Sequence, residues 1–166
     1  MKVYTKRGDK GVTDLFKKRV GKDDLRVSAI GTVDEIMAIV LMSKHKIESM
    51  EIKNDLDQVH DYLSSVCHEI ALGVSESFKI TDEVVHWLEA KIDELESKMP
   101  VLRNFIKIGK TEATSWINIA RVTTRRSERQ LVSASINYEM NANLLAFLNR
   151  LSDYFFNLGR FLDQQA

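Results

Sequence analysis

The 166 residues carry 24 Lys and Arg against 24 Asp and Glu, and 44% of them are hydrophobic. That length and apolar content suit a single soluble domain with a full core, and the zero net charge argues against a domain-wide field for gripping a polyanion such as nucleic acid. One cysteine, Cys67, excludes an intrachain disulfide, and the longest apolar run, Ile36 to Met42, falls far short of the roughly 20 residues that span a bilayer.

The chain opens on its most polar stretch. Residues 1–26 hold nine Lys or Arg against four Asp, so positive charge is concentrated here in a protein that is balanced overall. Within it, Thr5-Lys-Arg-Gly8-Asp9-Lys10-Gly11-Val-Thr13 is glycine-punctuated and lysine-rich, the kind of segment whose backbone N–H groups surround phosphates. It matches neither a Walker loop nor a dinucleotide fingerprint. Taken alone, Lys10, Lys17 and Lys22 also fit solvated loop positions. Charge this localised points to a small anion held in one place. Residues 1–24 contain no apolar stretch resembling a signal-peptide core, which makes the cytoplasm the expected compartment.

From about residue 25 the pattern reads as helix after helix. Residues 25–45 carry Val27, Ile30, Val33, Ile36, Met37 and Val40, with Asp34 and Glu35 interrupting the apolar face. Residues 53–72 place Leu56, Val59, Leu63, Val66 and Ile70 at steps of three and four, the spacing of one buried face. The connection from Gly73 to Ile80 is read as a mobile loop. Thr81, Asp82 and Glu83 predict an N-cap with acids in the first turn of a helix that carries Val85, Leu88, Ile92 and Leu95 and ends before Pro100. A fourth helix is predicted over 111–133. A fifth, starting near Asn137 or Asn141, carries Leu144, Leu148, Leu151, Phe155, Leu158 and Leu162. Five amphipathic helices without period-two strands predict an all-α, up-and-down five-helix bundle, preceded by the glycine-containing N-terminal loop.

Several polar side chains do not belong to the core pattern. In the fourth helix, Ala113, Ile117, Ala120, Thr124, Ser127 and Leu131 form a close-packing stripe, while Arg121, Arg125 and Glu128 fall within an arc of roughly 60° about one residue-step away. In the fifth, Asn149 and Asp153 are i, i+4 neighbours rotated away from the leucines. Taken singly, an Arg/Glu face also fits a solvated, salt-bridged surface. Together, an arginine stripe and a phosphate-type loop suggest a nucleotide, and polar stripes off the core suggest that a second copy completes a site. Glu128 breaks the cationic run, which disfavours a helix docking nucleic acid. Asp57-Gln-Val-His60 and Glu83-Val-Val-His86 resemble the carboxylate–histidine pairs of di-iron bundles, but two further carboxylates from other helices are wanting, so no resident metal is expected. Cys67 is read as a buried thiol beside a half-exposed His68, His45 as surface, and Trp87 and Trp116 as packing residues.

The combined pattern resembles the PduO-type ATP:cob(I)alamin adenosyltransferases over nearly the whole chain. Tyr4 to Thr13 is similar to the family's T-x-x-G-D-x-G-x-T loop, and Arg19-Val-Gly-Lys22-Asp-Asp and Gly31-Thr-Val-Asp34-Glu35 match its next two blocks. Arg125-Arg-Ser-Glu128-Arg129 matches R-R-x-E-R, and Phe147-Leu-Asn149-Arg150-Leu-Ser-Asp153-Tyr-Phe matches F-[LI]-N-R-L-S-D-Y-[LF]. The chain departs from the pattern in three places. Arg7 replaces a frequent threonine, Lys17-Lys18 a frequent Gly-Gly, and Ile108-Gly109-Lys110 a common Pro-Gly-Gly, which removes the fixed φ of proline and one permissive glycine.

The resemblance implies a single domain, with 1–24 as the ATP-binding loop and 25–166 as the bundle, assembled as a homotrimer with sites between subunits. It implies that Thr5, Gly8, Asp9, Gly11, Thr13 and Lys22 wrap the triphosphate of ATP, with Mg²⁺ arriving through the phosphates. Arg125, Glu128 and Asn149 would position the nucleotide, Arg121 would pair with Asp34 of a neighbouring subunit, and Arg150 and Asp153 would support the site. Phe105 would face the lower side of the corrin of cobalamin. The implied reaction moves the 5′-deoxyadenosyl group of ATP onto cob(I)alamin, served by a reductase and a cobalamin-dependent enzyme. A weakly catalytic ATP- and corrinoid-binding scaffold is the alternative, motivated by the altered residues 108–110. No nucleic acid or membrane partner is implied.

Overall fold

The computed structural model describes residues 2–73 and 79–166. Two short strands, β1 (Val12–Leu15) and β2 (Lys18–Gly21), precede five helices: α1 (Leu25–His45), α2 (Met50–Leu72), α3 (Asp82–Ser97), α4 (Glu112–Ser135) and α5 (Ala142–Gln165). The helical expectation holds. Residues 74–78, most of the connection read as a mobile loop, lie outside the described residues.

Each helix start has a local chemical reason. Asp24 accepts from the Arg26 amide at 2.9 Å ahead of α1, and Ser49 caps α2, which therefore begins three residues earlier than its apolar pattern suggests. Thr111 and Thr114 satisfy each other's backbone N–H groups in a reciprocal capping box that opens α4. Asn141, not Asn137, opens α5, its side chain accepting from the Asn143 amide at 3.0 Å. Thr81 occupies the cap position of α3, but its side chain accepts no backbone N–H; it sits instead beside Glu83 and holds that carboxylate below its usual range.

Helix directions alternate, although sequence neighbours are not always spatial neighbours. α1 packs on α2 and α4, α4 on α5, and α3 on α5. The α3–α5 pair runs parallel, and three polar rungs join it at seven-residue intervals. Asn143 donates to Asp82 at 3.0 Å, Arg150 to Glu89 at 2.9 Å and Asn157 to Glu96 at 3.0 Å. Seven residues make nearly two turns, so one face of each helix meets its partner in the same way three times. Phe147, Tyr154, Phe155, Leu56, Leu63, Leu88, Ile117 and Leu131 fill the centre with almost no exposure. Among the described residues no helix is long and apolar enough to cross a membrane.

Two readings of the sequence need correction. Residues 12–21 form an antiparallel hairpin in which Thr13 pairs with Val20 and Leu15 with Lys18. Its two-residue turn is Phe16-Lys17, with Phe16 at φ +52°, so the glycine or asparagine that normally advertises such a turn is missing. Asp34 and Glu35 do not interrupt the buried face of α1. Val33 and Ile36 take that face, and the acids, one residue-step of about 100° to either side of it, are exposed.

Candidate active site

The seam between α4 and α5 gathers most of the off-core polar residues. Glu128 and Asn149 face each other there, with Asn149 Nδ2 donating to Glu128 Oε1 at 3.0 Å. The Asn149 oxygen accepts from Arg150 Nη1 at 2.7 Å, and Arg150 Nε donates to Glu89 at 2.9 Å, so a chain of polar contacts fixes the asparagine amide from both sides. Asp153 lies one turn further along α5. Partial burial raises its pKa, while the Arg150 and Arg125 cations oppose the rise and Glu128 adds to it.

The arginines of α4 divide between two directions. Arg121 is half-buried, donates from Nε to Asn118 Oδ1 at 3.0 Å, and has its pKa lowered by burial and then by the nearby Arg125 cation. The Arg125 guanidinium is exposed and makes no hydrogen bond or ion pair among the described residues, which leaves its planar fork open to an anion. Arg126 points the other way and pairs with Glu35 on α1. Arg129 Nη1 donates to the Arg125 carbonyl at 3.0 Å. Two cations and one carboxylate therefore share one side of α4, as the 100° periodicity requires.

The N-terminal segment is organised around its glycines. Gly11, at φ +75°, donates to the Gly8 carbonyl at 3.2 Å, and the Lys22 amide donates to the Gly11 carbonyl at 2.9 Å. A Cβ on Gly8 would lie 3.3 Å from Lys22 Nζ, so this glycine leaves room for the lysine. Gly8, Gly11 and Lys22 thus come together. Thr13 sits in β1, Thr5 Oγ1 accepts from the Arg7 amide at 3.4 Å, and Asp9 is exposed. Asp14 takes Arg7 and Arg19 on one oxygen, at 3.1 and 3.0 Å, which ties the arginine at the threonine position to the hairpin.

Among the described residues, no hydrogen bond joins this segment to Arg121, Arg125, Glu128 or Asn149 of the same chain. The hairpin lies beside Arg26, Tyr138 and the end of α2, bordering a cavity of about 370 Å³. About 10 Å of helical rise separates Glu128 from the end of α4 at Ser135, which leads into Tyr138.

The loop between α3 and α4 is fastened at both ends. Arg160 donates to the Pro100 carbonyl, and both oxygens of Asp163 accept amides, from Gly109 at 2.9 Å and Lys110 at 3.0 Å. Lys110 Nζ adds a bond to the Asp163 carbonyl at 2.9 Å. Ile108 packs over Gly159, where a Cβ would stand only 2.6 Å from Ile108 Cγ2. The Ile-Gly-Lys sequence therefore closes the loop by its own means, and Gly109 still supplies a positive φ of +123°. Phe105, between these anchors, is fully exposed at 108%, so it anchors no core of its own chain.

Asp57 accepts Lys44 Nζ at 2.5 and 2.6 Å, and Glu83 is exposed beside Thr81, so neither carboxylate–histidine pair converges on a common point. No cluster of three ligating side chains occurs among the described residues. Mg²⁺ generally takes one or two carboxylates along with phosphate oxygens, and the exposed Asp9 carboxylate beside the loop amides fits that donor set. Cys67 is half-buried, not fully buried, and burial followed by the Asp34 charge pushes its thiol to about 11, far from a nucleophile. His68 is exposed, with Nδ1 2.8 Å from the Ser64 carbonyl. His45 is surface, and Trp87 packs edge-on to Tyr62.

Sequence reasoning missed Asp24, Glu89, Tyr138 and Asp163. Asp24 bonds Arg26 and Tyr138, and Arg26 stacks over the Tyr138 ring at 3.9 Å, which joins the start of α1 to the α4–α5 connection. In the sequence Asp24 stands only as the last residue of the Arg19–Asp24 block, with no role attached, and its partner Tyr138 is distant in sequence.

The model of the cobalamin adenosyltransferase family matches residues 3–162. A corrinoid adenosyltransferase of Bacillus subtilis is 34% identical over 100% of this chain and 89% of its own length. The corrinoid adenosyltransferase PduO of Citrobacter freundii is 36% identical, and this chain spans 51% of its length. A solved variant of the PduO-type ATP:corrinoid adenosyltransferase of Lactobacillus reuteri, complexed with cobalamin and ATP, superposes with a TM-score of 0.92 at 37% identity, covering 98% of this chain and 94% of the other. A second variant of it, complexed with ATP, gives 0.91 at 38% identity over 98% and 94%.

Proposed function

The chain belongs to the cobalamin adenosyltransferase family, and from that premise we propose that it transfers the 5′-deoxyadenosyl group of ATP to cob(I)alamin, forming adenosylcobalamin and releasing triphosphate. The observation that carries the reading is the open Arg125 fork beside the fixed Glu128–Asn149 pair, all three within sequence blocks that match the family.

Co(I) is itself a strong nucleophile. A cobalt–carbon bond forms at C5′ as the C5′–O bond breaks and its electron pair leaves on triphosphate. The protein must hold C5′ in line and stabilise the departing charge, and no nucleophile–base pair is required. Arg125 suits the second task as a charge-assisted, two-pronged donor. Glu128 and Asn149 suit the first, because their mutual bond fixes both acceptors and donors before the nucleotide arrives. Thr5, Gly8, Gly11, Thr13 and Lys22 contribute amides, hydroxyls and one ammonium to the phosphates, and Asp9 would supply a carboxylate to a Mg²⁺ arriving with them, which would offset phosphate charge. Phe105 meets the lower face of the corrin.

In this reading residues 1–24 and 25–166 act as one domain, and three copies complete the sites, the loop of one serving the arginines of the next. Support comes from the lack, among the described residues, of any hydrogen bond between the 5–22 loop and Arg121, Arg125, Glu128 or Asn149 of the same chain, from the exposed Asp34, and from Leu41, Met42, Ile119 and Val122, which leave apolar surface uncovered on α1 and α4. The product passes to a cobalamin-dependent enzyme, a reductase supplies Co(I), and the setting is cytoplasmic. The decisive experiment adds ATP and chemically reduced cobalamin and follows the cobalt–carbon bond by absorbance. ATP and corrinoid binding without that spectral change would leave the scaffold reading instead.

A further inference from the structure

The segment from Ser97 to Thr111 contains Lys98, Arg103, Lys107 and Lys110 and no acidic residue. Two of its cations have internal work. Lys98 bonds Glu94 at 2.6 Å, and Lys110 bonds the Asp163 carbonyl. Arg103 and Lys107 are exposed and make no hydrogen bond or ion pair among the described residues. Both line a cavity of about 380 Å³ between the loop and the end of α5. Asp163 also borders it, but its two oxygens are already occupied by the Gly109 and Lys110 amides, and the Arg160 guanidinium next to it adds further positive charge. The cavity is therefore an anion-seeking space whose two free donors sit on a fastened loop.

The position of these cations relative to Phe105 identifies the anion. Each lies two residues from Phe105, so the backbone keeps their Cα atoms within about 7 Å of its own. A corrin whose lower side rests on Phe105 must bring its lower-side substituent to the same loop. In cobalamin that substituent is a nucleotide tail carrying a phosphodiester. We propose that Arg103 and Lys107 bind this phosphodiester, so that the site distinguishes a complete corrinoid from one without the nucleotide tail. The proposal rests on the adenosyl-transfer reading for the placement of the corrin. Its chemistry is that of a charge-assisted contact between guanidinium or ammonium and a phosphate monoanion.

The test compares cobalamin with cobinamide, which lacks the tail and its phosphate. Binding of both corrinoids to the full chain with ATP present is measured by equilibrium dialysis, and turnover with both is measured after chemical reduction to Co(I). The Arg103→Ala/Lys107→Ala double variant should bind cobalamin about tenfold more weakly, the size expected for two largely exposed ionic contacts, with cobinamide changed less than about twofold. kcat, the KM for ATP and the melting temperature should stay at their wild-type values. Arg103→Glu/Lys107→Glu should make cobinamide the preferred ligand. Equal losses for the two corrinoids, unchanged cobalamin binding, or an increase confined to the KM for ATP would each overturn the proposal, the last by assigning the cations to triphosphate. Because binding is read separately from turnover, an inactive wild type would count against adenosyl transfer while the corrinoid contrast still decides this site.

Discussion

Glu128 and Asn149 hold each other at 3.0 Å across the α4–α5 seam, and neither belongs to the apolar core. Glu128→Ala and Arg125→Ala are therefore expected to abolish turnover or cut it by at least about 100-fold, as loss of groups aimed at a transition state does, with the helical circular dichroism unchanged. Arg125→Lys should also be poor, because an ammonium cannot reproduce the guanidinium fork. Rates near wild type would return the stripe to a solvated surface.

Phe105 exposes its whole ring, so its removal should cost no core packing. Phe105→Ala should keep its melting temperature and ATP affinity. It should lose most activity when Co(II) corrinoid and a mild reductant are supplied, yet retain much of it with pre-reduced Co(I), if the ring serves to exclude a lower axial ligand and ease reduction. Equal losses in the two assays would remove that role.

If three copies share sites, sedimentation should give a trimer, and a concentration-independent monomer would contradict it. Asp34 is exposed, and among the described residues the Arg121 side chain bonds only Asn118. An Asp34→Arg/Arg121→Asp exchange should recover more assembly or activity than either single change. Strictly additive losses would separate the two residues.

Gly159→Ala places a methyl against Ile108 Cγ2, a branch too close to the backbone to swing clear. Destabilisation of about 1–3 kcal/mol is expected, measured by denaturant unfolding, together with weaker corrinoid binding as the loop end is displaced. Ile108→Ala in the same chain should restore much of the lost stability. If Gly159→Ala alone is neutral, the contact is not tight.

Arg26 beside Asp24 holds that carboxyl at about 2 against an ordinary 3.8. A depressed folded value stabilises the protein fully above pH 3.8, and the contribution fades as pH falls through about 2. The Asp24 side chain is only 10% exposed, so the effect reaches on the order of 2 kcal/mol. Asp24→Asn can still cap α1 but should lower stability at neutral pH and flatten the acid limb between pH 4 and 2, as read from melting temperature against pH. A parallel shift at every pH would point to packing instead.

The five helices were legible because Leu56, Val59, Leu63 and their counterparts repeat at helical spacing. The stripe of Arg121, Arg125 and Glu128 was legible for the same reason, as three positions on one arc. The hairpin was not, since four-residue strands are too short for a period and Phe16-Lys17 lacks the usual turn chemistry. The rungs from Glu89 to Arg150 and from Glu96 to Asn157 were also invisible, because pairing across 61 residues depends on which helices become neighbours. The clamp of Asp163 on Gly109 and Lys110 spans over 50 positions and leaves no local trace. Periodicity reports which face a helix buries, whereas these contacts report how the buried faces are matched.

The two fastenings of the loop between Pro100 and Gly109 set how far Phe105 can wander. A strand tied at both ends searches a small volume, so its ring stays at high effective concentration beside any corrin that approaches. Lengthening it would cost stability little, about 0.6 kcal/mol for each doubling of the free span. The same insertion would dilute the ring through a larger space, so chain length here governs encounter with the second substrate far more than it governs folding.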